Sequence, residues 1–513
     1  MVNVLSEYTS GWRKSLRLNV KSRQTFILAS LSFFIPLLVR LVPEFLMYPY
    51  VVGFDPIGYY IPTMDVFAYD VSVWTFFGFA PFFYILLSGI TSIGFSLVLS
   101  LKLLSVVLFG FIGLALFFYA HISLKWSSWK SLFVALFTMT YFVSLRVSFD
   151  LLRTELALVF LFLVLILLKK VGKNSKINFL FVVSMVLVTL SNQIVAVVMF
   201  AIVIATLLSA YLSKEFITLR RFVVLSLPAI FFFLLVLFSG LLSSQFAFSN
   251  NIIGEEIGGP MSSTALFGFD SSLLLLFDTV GFFLFCYVLL LPIAIFGFKN
   301  LRCDIPLKTW VFLIFLLLFL GMVIPITFFG TLPYRWTLLL VYPLSFYVVH
   351  GIDRIKVKKR KLCLAGGIVL LSITLSSGFI LCSAVSPFPY FSYYPRYMPT
   401  SMLQNTVPLD DCGDTVEALT WLNENMPSNG RLLVHTAFYG WALLTFNSSQ
   451  LISYGYGDPG YVANQLKNES FSSQLYLVWW VNGSGWYGQP AVSDSFSEIY
   501  RSGKISVYLY DVT

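Results

Sequence analysis

The sequence predicts an α-helical polytopic membrane protein with a C-terminal α/β domain. Charged residues make up only 11% of the 513 residues, whereas soluble domains carry about 25%. Apolar stretches recur along the first 385 residues, and a stretch of about 20 residues can cross the hydrocarbon core as a helix. After Ser386 the composition becomes polar, and helix and strand patterns alternate, which is typical of a small α/β unit.

The apolar stretches predict about eleven transmembrane helices within residues 25–385, after a cytoplasmic N-terminus at 1–24. The least certain boundary lies around Ser191-Asn192-Gln193. The predicted spans are 25–43, 99–120, 131–149, 155–168, 177–192, 194–212, 222–243, 272–297, 309–330, 336–352 and 362–385.

Lysine and arginine predict the orientation, because they collect in cytoplasmic loops. With eleven spans, the N-terminal cluster and the run DRIKVKKRK at 353–361 fall on one side. The segment 80–97 would disturb this pattern as a twelfth span, so we predict an amphipathic or re-entrant helix inside a long first outer loop, 44–98. The N-terminus is then cytoplasmic and the C-terminus extracytoplasmic. The net charge of +9 lies in short loops between spans, which argues against nucleic acid as a partner.

Residues 386–513 are predicted to form the extracytoplasmic domain. We expect a helix that starts near Asp414, strands RLLVH and LYLVWWV, a helix TAFYGWALLTF between them, and a hairpin turning at Ser502-Gly503. Acceptor triplets for N-glycosylation all fall in this region, which supports its placement outside. They begin at Asn447, Asn468 and Asn482.

Five scattered cysteines include one pair that could share an oxidising side, Cys382 and Cys412, but sequence alone does not decide whether they form a disulfide. The three histidines lie far apart, which argues against a histidine-based metal site. They are His121, His350 and His435.

Several charged residues stand at span ends that face the predicted outer side. Asp55 lies in GFDPIGYY, Asp150 and Arg153 lie in RVSFDLLRTE, Arg335 lies in TLPYRW, and Lys102 lies near the start of its span. Charges within or beside apolar spans are costly and are functional candidates. The other acids of this side are interpreted as solvated loop residues; they are Glu44, Asp65, Asp70 and Asp270.

Such an acidic pair with basic neighbours suits a lipid-linked phosphate. The bases would hold the phosphate, and the acids would act on an acceptor hydroxyl. Alternatively, Asp55 and Asp150 could share a divalent cation such as Mg²⁺, Mn²⁺ or Zn²⁺ with water and phosphate oxygens. The sequence does not choose between a metal and no metal.

The order and sidedness of these motifs resemble the GT-C superfamily of integral-membrane glycosyltransferases. Asp55 in GFDPIGYY matches the first acid, after the first span, and GFAPFFYILLSG resembles the juxtamembrane helix, with Ala80-Pro81 where Pro-Pro is frequent. Asp150 in RVSFDLLRTELAL resembles the second acid. Lys102 in SLKLLSVVL and Arg335 in PYRWTLLLVYPL resemble basic residues of the family.

The resemblance implies an inverting transferase that moves a sugar from a polyprenyl (dolichyl) phosphate to an acceptor hydroxyl at the extracytoplasmic face. Asp55 would act as general base or metal-bound acid and Asp150 would assist it, while the donor phosphate would be held by basic residues. The phosphate ligands would be Lys102, Arg153 and Arg335; sugar or acceptor contacts would be Tyr59, Tyr60 and, as a weaker match, Glu255. The acceptor could be a glycan, a lipid or a protein.

Two rival functions remain open at this stage. An oligosaccharyltransferase-like enzyme would use a diphosphate-linked glycan, but the comparable place in the outer domain reads HTAFYGW and lacks the acid of the Trp-Trp-Asp-Tyr-Gly motif. A lipid-glycan transporter or flippase usually places ionisable residues near the bilayer midplane and often has internal repeats. The predicted spans here are nearly free of charge and show no repeat, which favours the enzyme.

Overall fold

The computed structural model describes most of the chain, and only the described residues are discussed below. These are residues 2–68, 71–172, 174–214, 216–243, 280–301 except 285, 304–323, 333–354, 367, 405–455, 459–468, 474–481 and 492–510.

A helical bundle makes up the part before residue 355. A π-helical turn at Pro56–Tyr60 precedes α2, and a second one at Tyr119–Ser123 follows α5. The helices are α1 Val2–Leu46, α2 Ile61–Ala68, α3 Val73–Gly78, α4 Phe82–Ser92, α5 Leu97–Phe118, α6 Ser128–Thr140, α7 Phe142–Asp150, α8 Leu152–Leu168, α9 Ser175–Ser191, α10 Gln193–Leu212, α11 Phe216–Ser243, α12 Leu291–Asn300, α13 Ile305–Val323, α14 Pro333–Leu339 and α15 Val341–Arg354.

Among the described residues, four helices are long and apolar enough to cross a membrane, and a bent pair makes a fifth if it is one span. The predicted number of eleven is therefore not confirmed. One physical reason is length: α8 and α9 have 17 residues each, about 26 Å of helix against a hydrocarbon core of about 30 Å. The predicted span 362–385 lies outside the described residues apart from Gly367. The four helices are Ser22–Leu46, Leu97–Ser123, Gln193–Leu212 and Arg220–Gly240.

The predicted span 131–149 is broken into two helices. α6 and α7 meet at Tyr141 with a bend of 61°, and Tyr141 itself is extended, with ψ of 136°. The predicted boundary near Ser191-Asn192-Gln193 is also a break, because Asn192 is extended and its side chain caps α10 by accepting the N–H of Val195 at 3.1 Å. The segment predicted as a non-crossing helix contains the eleven-residue α4, about 16 Å long.

The C-terminal part contains a five-stranded mixed sheet with helices. The strand order is β2-β1-β3-β5-β4; β1 is parallel to β2 and β3, whereas β5 is antiparallel to β3 and β4. The elements are α16 Cys412–Asn425, β1 Arg431–His435, α17 Thr436–Ala442, β2 Leu451–Tyr454, α18 Pro459–Asn468, β3 Leu475–Trp480, β4 Phe496–Ser502 and β5 Ile505–Tyr510.

The predicted elements of this part are present, and two were not predicted: β2 and α18. The hairpin turns at Ser502-Gly503 as expected, and Gly503 adopts a positive φ of 50°, which glycine tolerates best. Trp479 and Trp480 are buried in the core, so they are packing residues. Cys412 is a buried free thiol, and Cys382 is outside the described residues.

The bundle brings several helix ends to one place beside the sheet domain. The C-terminal end of α1 meets the N-terminal end of α5, and the α7–α8 junction lies next to the segment that follows α1. Residues 405–441 of the C-terminal part contact the same segment. The predicted site residues therefore lie at the end of the bundle that carries the sheet domain.

Candidate functional site

The segment GFDPIGYY, residues 53–60, packs directly on the α7–α8 junction. Gly53 has a φ of +107°, and a Cβ on it would lie 1.9 Å from the carbonyl oxygen of Phe149. No other residue fits there, because a side chain meets both a forbidden backbone region and a backbone atom. This contact sets the start of the turn against the end of α7, where Asp150 is located.

Asp150 is buried, and both of its carboxylate oxygens are occupied. Oδ1 accepts a hydrogen bond from the backbone N–H of Phe54 at 2.7 Å, and Oδ2 forms an ion pair with Arg146 one helical turn earlier. Asp150 is 2% exposed and Arg146 is 4% exposed. A buried carboxylate is stable only when it is paired and hydrogen-bonded, and here both conditions are met.

Asp55 follows Phe54 and is half-buried at the start of the π-helical turn. Its side chain does not cap that turn, and the backbone N–H of the preceding residue is the one that Asp150 accepts. The hydrogen bond of Phe54 to Asp150 brings the segment that carries Asp55 against Asp150, and a shared site for the two acids stays a prediction. Their difference in environment is informative, since Asp150 is saturated with partners and shielded while Asp55 retains access to solvent.

The two tyrosines of the turn have different surroundings. Tyr60 is buried, and its hydroxyl donates to the backbone carbonyl of Asp150 at 2.6 Å. Burial raises the pKa of Tyr60 well above its usual value, and the charge of Asp55 adds to the effect, so the phenol stays protonated and keeps this hydrogen bond. Tyr60 is therefore a packing residue, whereas Tyr59 is half-buried and turns toward Arg153.

Arg153 is held in place on three sides in the first turn of α8. Its Nη1 donates to the Tyr59 hydroxyl at 3.1 Å, and its Nε donates to the backbone carbonyl of Ser191 at 3.3 Å. The guanidinium carbon lies 5.9 Å from the ring centre of Tyr59 and 5.7 Å from that of Tyr84. Among the described residues no carboxylate forms an ion pair with it, so its charge is oriented by aromatic and carbonyl groups.

Lys102 has an acidic partner that its sequence neighbours do not provide. Its ammonium group lies 3.2 Å from Glu44 and donates to the backbone carbonyl of Tyr50. Glu44 also pairs with Arg40 at 2.7 Å. The expectation that Glu44 is a solvated loop acid is wrong: α1 continues to Leu46, so Glu44 lies one turn after Arg40 on the same helix and is 3% exposed.

This ionic cluster corrects a second expectation, that the spans are nearly free of charge. Arg40 belongs to the apolar helix Ser22–Leu46 and Lys102 belongs to Leu97–Ser123, and both are buried. Arg40 also donates to the carbonyl of Ser148 at 3.3 Å and lies over the ring of Phe149, 4.8 Å from its centre. The cluster is located at helix ends beside the candidate site, not at the middle of the helices.

Glu155 is a further buried acid, one turn after Leu151 in α8. It is 0% exposed, and neither carboxylate oxygen has a hydrogen-bond partner among the described residues. The nearest opposite charge that acts on it is Arg40. The chain thus concentrates four bases and four acids at this end of the bundle: Arg40, Lys102, Arg146 and Arg153 with Glu44, Asp55, Asp150 and Glu155.

The remaining predicted residues have fewer described contacts. Arg335 belongs to the short helix α14, which packs against α7; this brings its backbone toward the helix that carries Asp150. Glu255, Asp70 and Asp270 lie outside the described residues. Asp65 is half-buried, and burial raises its pKa while Ser448 of the C-terminal part opposes the rise by hydrogen bonding.

The described residues do not form a good metal site. A divalent cation between Asp55 and Asp150 would share the Asp150 carboxylate with the N–H of Phe54 and would lie beside the Arg146 guanidinium, whose positive charge repels it. No group of three or more His, Cys, Asp or Glu side chains that could hold a metal occurs in the described part of the chain. The donor set therefore does not fit a metal bridging these two acids, and no step is assigned to one.

Sequence reasoning identified Asp55, Asp150, Arg153 and their meeting point, but it missed the residues that support them. Two of the supporting pairs carry a readable signal, because Arg40–Glu44 and Arg146–Asp150 are both spaced i, i+4 on a helix. Tyr84 carries no such signal, since its ring reaches Arg153 only through the packing of α4 on α8 and α9.

No protein-family model matches the chain, and no curated protein matches it in sequence. Two solved structures are similar in fold, and both proteins are GT-C superfamily members. The oligosaccharyltransferase of Archaeoglobus fulgidus, in a complex with zinc and sulfate, is 12% identical, has a TM-score of 0.49, and the match covers 88% of this chain and 68% of that one.

The second is ArnT from Cupriavidus metallidurans bound to undecaprenyl phosphate. It is 12% identical and has a TM-score of 0.46, and the match covers 98% of each chain. Because both TM-scores are below 0.5, no residue roles are carried over from these enzymes.

Proposed function

We propose that this chain is an inverting membrane glycosyltransferase that moves a single sugar from a polyprenyl phosphate to an acceptor hydroxyl at the extracytoplasmic face. The observation that carries the proposal is the meeting of Asp55 and Asp150 beside the tethered cation Arg153, at the end of the bundle next to the sheet domain. If these residues served only as an ion pair or for packing, Asp55 would not need to be partly accessible, and Arg153 would not need to be held separately from it.

Asp55 is the better candidate for the general base. The acceptor hydroxyl attacks the anomeric carbon of the donor, its proton goes to the Asp55 carboxylate, and the bond from that carbon to the phosphate oxygen breaks. The polyprenyl phosphate leaves with the bond's electron pair, and the configuration at the anomeric carbon is inverted. Asp150 assists by fixing the turn that carries Asp55, while Arg146 balances the charge of Asp150.

Arg153 is placed to neutralise the phosphate that gains charge as it leaves. A guanidinium binds phosphate oxygens through paired N–H groups, and positioned cations stabilise charge that develops in the transition state. Tyr59 orients Arg153 and contacts the sugar in this proposal. Lys102, together with Glu44, contributes to the donor site electrostatically. Arg335 and Glu255 are proposed as ligands because of their place in the sequence motifs.

The test is transfer of a labelled sugar from a synthetic polyprenyl phosphate by the purified full chain. We expect Asp55→Asn to lower kcat by about 10²–10⁴-fold, the usual size of general-base assistance. Asp410→Asn, at an exposed acid of the sheet domain, should transfer at the parental rate. If Asp55→Asn transfers as fast as the parent, the assignment is wrong; if the mass of the transferred group is that of an oligosaccharide, the diphosphate-linked alternative replaces it.

A further inference from the structure

The sheet domain makes direct backbone contact with the turn that carries Asp55. In α17, a Cβ on Gly440 would lie 1.8 Å from the carbonyl oxygen of Ile57 and 2.7 Å from its carbonyl carbon. Ile57 is two residues after Asp55 and is 0% exposed. The two backbones are therefore in direct contact, and only glycine at 440 allows this approach.

A second contact holds the chain just before the turn. The side-chain amide of Asn405 donates to the carbonyl of Val51 at 2.8 Å, and its oxygen accepts the N–H of Thr406 at 2.7 Å. Asn405 is 1% exposed and Val51 is 2% exposed. Because a buried carbonyl that loses its donor costs about 1–3 kcal/mol, this hydrogen bond fixes the entry of the turn.

The two contacts belong to one network. The indole N–H of Trp441, next to Gly440, donates to the Thr406 hydroxyl at 3.0 Å, and the Trp441 ring packs edge-on against Tyr50 with centres 6.1 Å apart. The Thr406 methyl group lies 3.0 Å from where a Cβ of Gly58 would be. Asn405 thus contacts the chain before Asp55, at Val51, while Thr406 and the α17 backbone contact it after Asp55, at Gly58 and Ile57.

We infer that Asn405, Thr406 and Gly440 are positioning residues, through which the sheet domain sets the place of Asp55 relative to Asp150. The inference rests on the proposed function for its catalytic consequence. The bundle fixes the turn at Gly53 and Phe54 and again at Tyr60, and the contacts of the sheet domain hold the stretch between them at Ile57 and Gly58. A displacement of about 1 Å at a reacting group can cost about 10²-fold in rate, so this grip is a condition for catalysis.

Two substitutions test the network, with a matched control. Gly440→Ala forces α17 away from Ile57, and Thr406→Val removes the acceptor of the Trp441 N–H with little change in volume. Gly455→Ala is the control, because a Cβ at Gly455 meets nothing within 4 Å. Hydrogen–deuterium exchange of the peptide 51–60 measures how firmly the sheet domain holds the turn, and it does not depend on transfer activity. Exchange of the β3 peptide 475–480 shows whether the sheet domain stays folded.

We expect faster exchange of 51–60 in Gly440→Ala and Thr406→Val but not in Gly455→Ala, with unchanged protection of 475–480. In the transfer assay, we expect kcat to fall by about 10–100-fold in Gly440→Ala and less in Thr406→Val, with unchanged donor affinity and a shifted acid limb of the pH profile. Unchanged exchange of 51–60 in both variants overturns the inference, as does faster exchange with a parental kcat. If the parent chain transfers no sugar and the variants still exchange faster in 51–60, the proposed function is overturned. The contact between the sheet domain and the turn is then still established.

Discussion

The backbone N–H of Phe54 donates to Oδ1 of Asp150 at 2.7 Å, across a sequence separation of 96 residues. The bond joins the turn after α1 to the end of α7, so one acid orients the segment that carries the other. In the proposed mechanism Asp150 holds the turn and does not act on the acceptor, since its second oxygen is paired with Arg146. Two acids of like charge can share a site in this way, because Arg146 balances the charge of Asp150 inside the protein while Asp55 is partly exposed to solvent.

Gly53→Ala should separate the turn from α7. The new methyl group would lie 1.9 Å from the Phe149 carbonyl oxygen and 2.7 Å from Asp150 Oδ1, so the backbone must move and the Phe54 hydrogen bond must lengthen. We expect loss of transfer activity by at least about 10²-fold and a lower thermal unfolding temperature, measured by intrinsic fluorescence of the purified chain.

Gly94→Ala is a matched control for that substitution. Gly94 has a φ of +104°, close to the +107° of Gly53, but a Cβ there meets nothing within 4 Å. The two variants therefore share the backbone strain and differ in the close approach. Equal effects of both on activity would mean that strain alone explains the Gly53 result and that the contact with α7 is unimportant.

Asp150→Asn should destabilise the chain more than Asp55→Asn does. It keeps an acceptor for Phe54 but leaves the buried guanidinium of Arg146 without its carboxylate, and breaking a buried pair costs about 3–5 kcal/mol. Adding Arg146→Leu to Asp150→Asn should restore part of the lost stability without restoring transfer. Denaturant unfolding of the four chains in a double-mutant cycle measures the coupling; additive effects of the two substitutions would show that the pair is not coupled.

The sequence was sufficient to predict which segments meet at the site, because span order and charge sidedness constrain where loops go. GFDPIGYY and RVSFDLLRTE were expected at one face, and they are in contact. The strands of the C-terminal part were predicted from short β-rich runs between turn residues, and β1, β3 and the hairpin have the expected positions.

The sequence could not predict which partner each charge would find. Lys102 has no acid near it in sequence, and Glu44 reaches it only because α1 extends beyond its apolar run and packs along α5. The grip of Gly440 on Ile57 is a contact between backbones 383 positions apart in the chain, and no side-chain pattern encodes it. The number of spans stays a prediction, because apolar length alone does not show where a helix breaks, as at Tyr141 within the predicted span 131–149.

Arg153→Lys should weaken donor binding more than it affects folding. Lysine keeps the charge but cannot donate to the Tyr59 hydroxyl and the Ser191 carbonyl at once, nor present a planar fork to a phosphate. A hydrogen bond to a charged group is worth about 1.5–3 kcal/mol, so we expect donor affinity to fall by about 10–100-fold, measured by titration with a fluorescent polyprenyl phosphate. Arg501→Lys, at an exposed pair with Glu498, should bind the donor like the parent.

Chelation with EDTA should leave transfer intact. A cation bridging Asp55 and Asp150 would lie beside the buried Arg146 guanidinium that is paired with Asp150, and the two positive charges would repel each other. The measurement is the transfer rate after dialysis against EDTA, followed by addition of Mg²⁺, Mn²⁺ or Zn²⁺. A rate that disappears on chelation and returns with one of these ions would contradict the placement of Asp150 as a residue compensated by Arg146.

The sheet domain should lose stability as the pH falls from about 6.5 to about 4, through His435. This residue is fully buried, and desolvation lowers its pKa from 6.5 to about 4. Its Nδ1 accepts the N–H of Ala437 at 3.1 Å to cap α17. A proton on Nδ1 would turn this acceptor into a donor that faces the Ala437 N–H, and the hydrogen bond would be lost. Below pH 6.5 the unfolded chain binds a proton that the folded chain does not, and stability therefore falls with pH, by about 3 kcal/mol at pH 4. Thermal unfolding followed by tryptophan fluorescence at pH 7 and pH 4.5 measures this, with His435→Gln as the reference that cannot titrate. If the parent and His435→Gln lose the same stability between these pH values, the destabilisation comes from other groups and His435 is not its source.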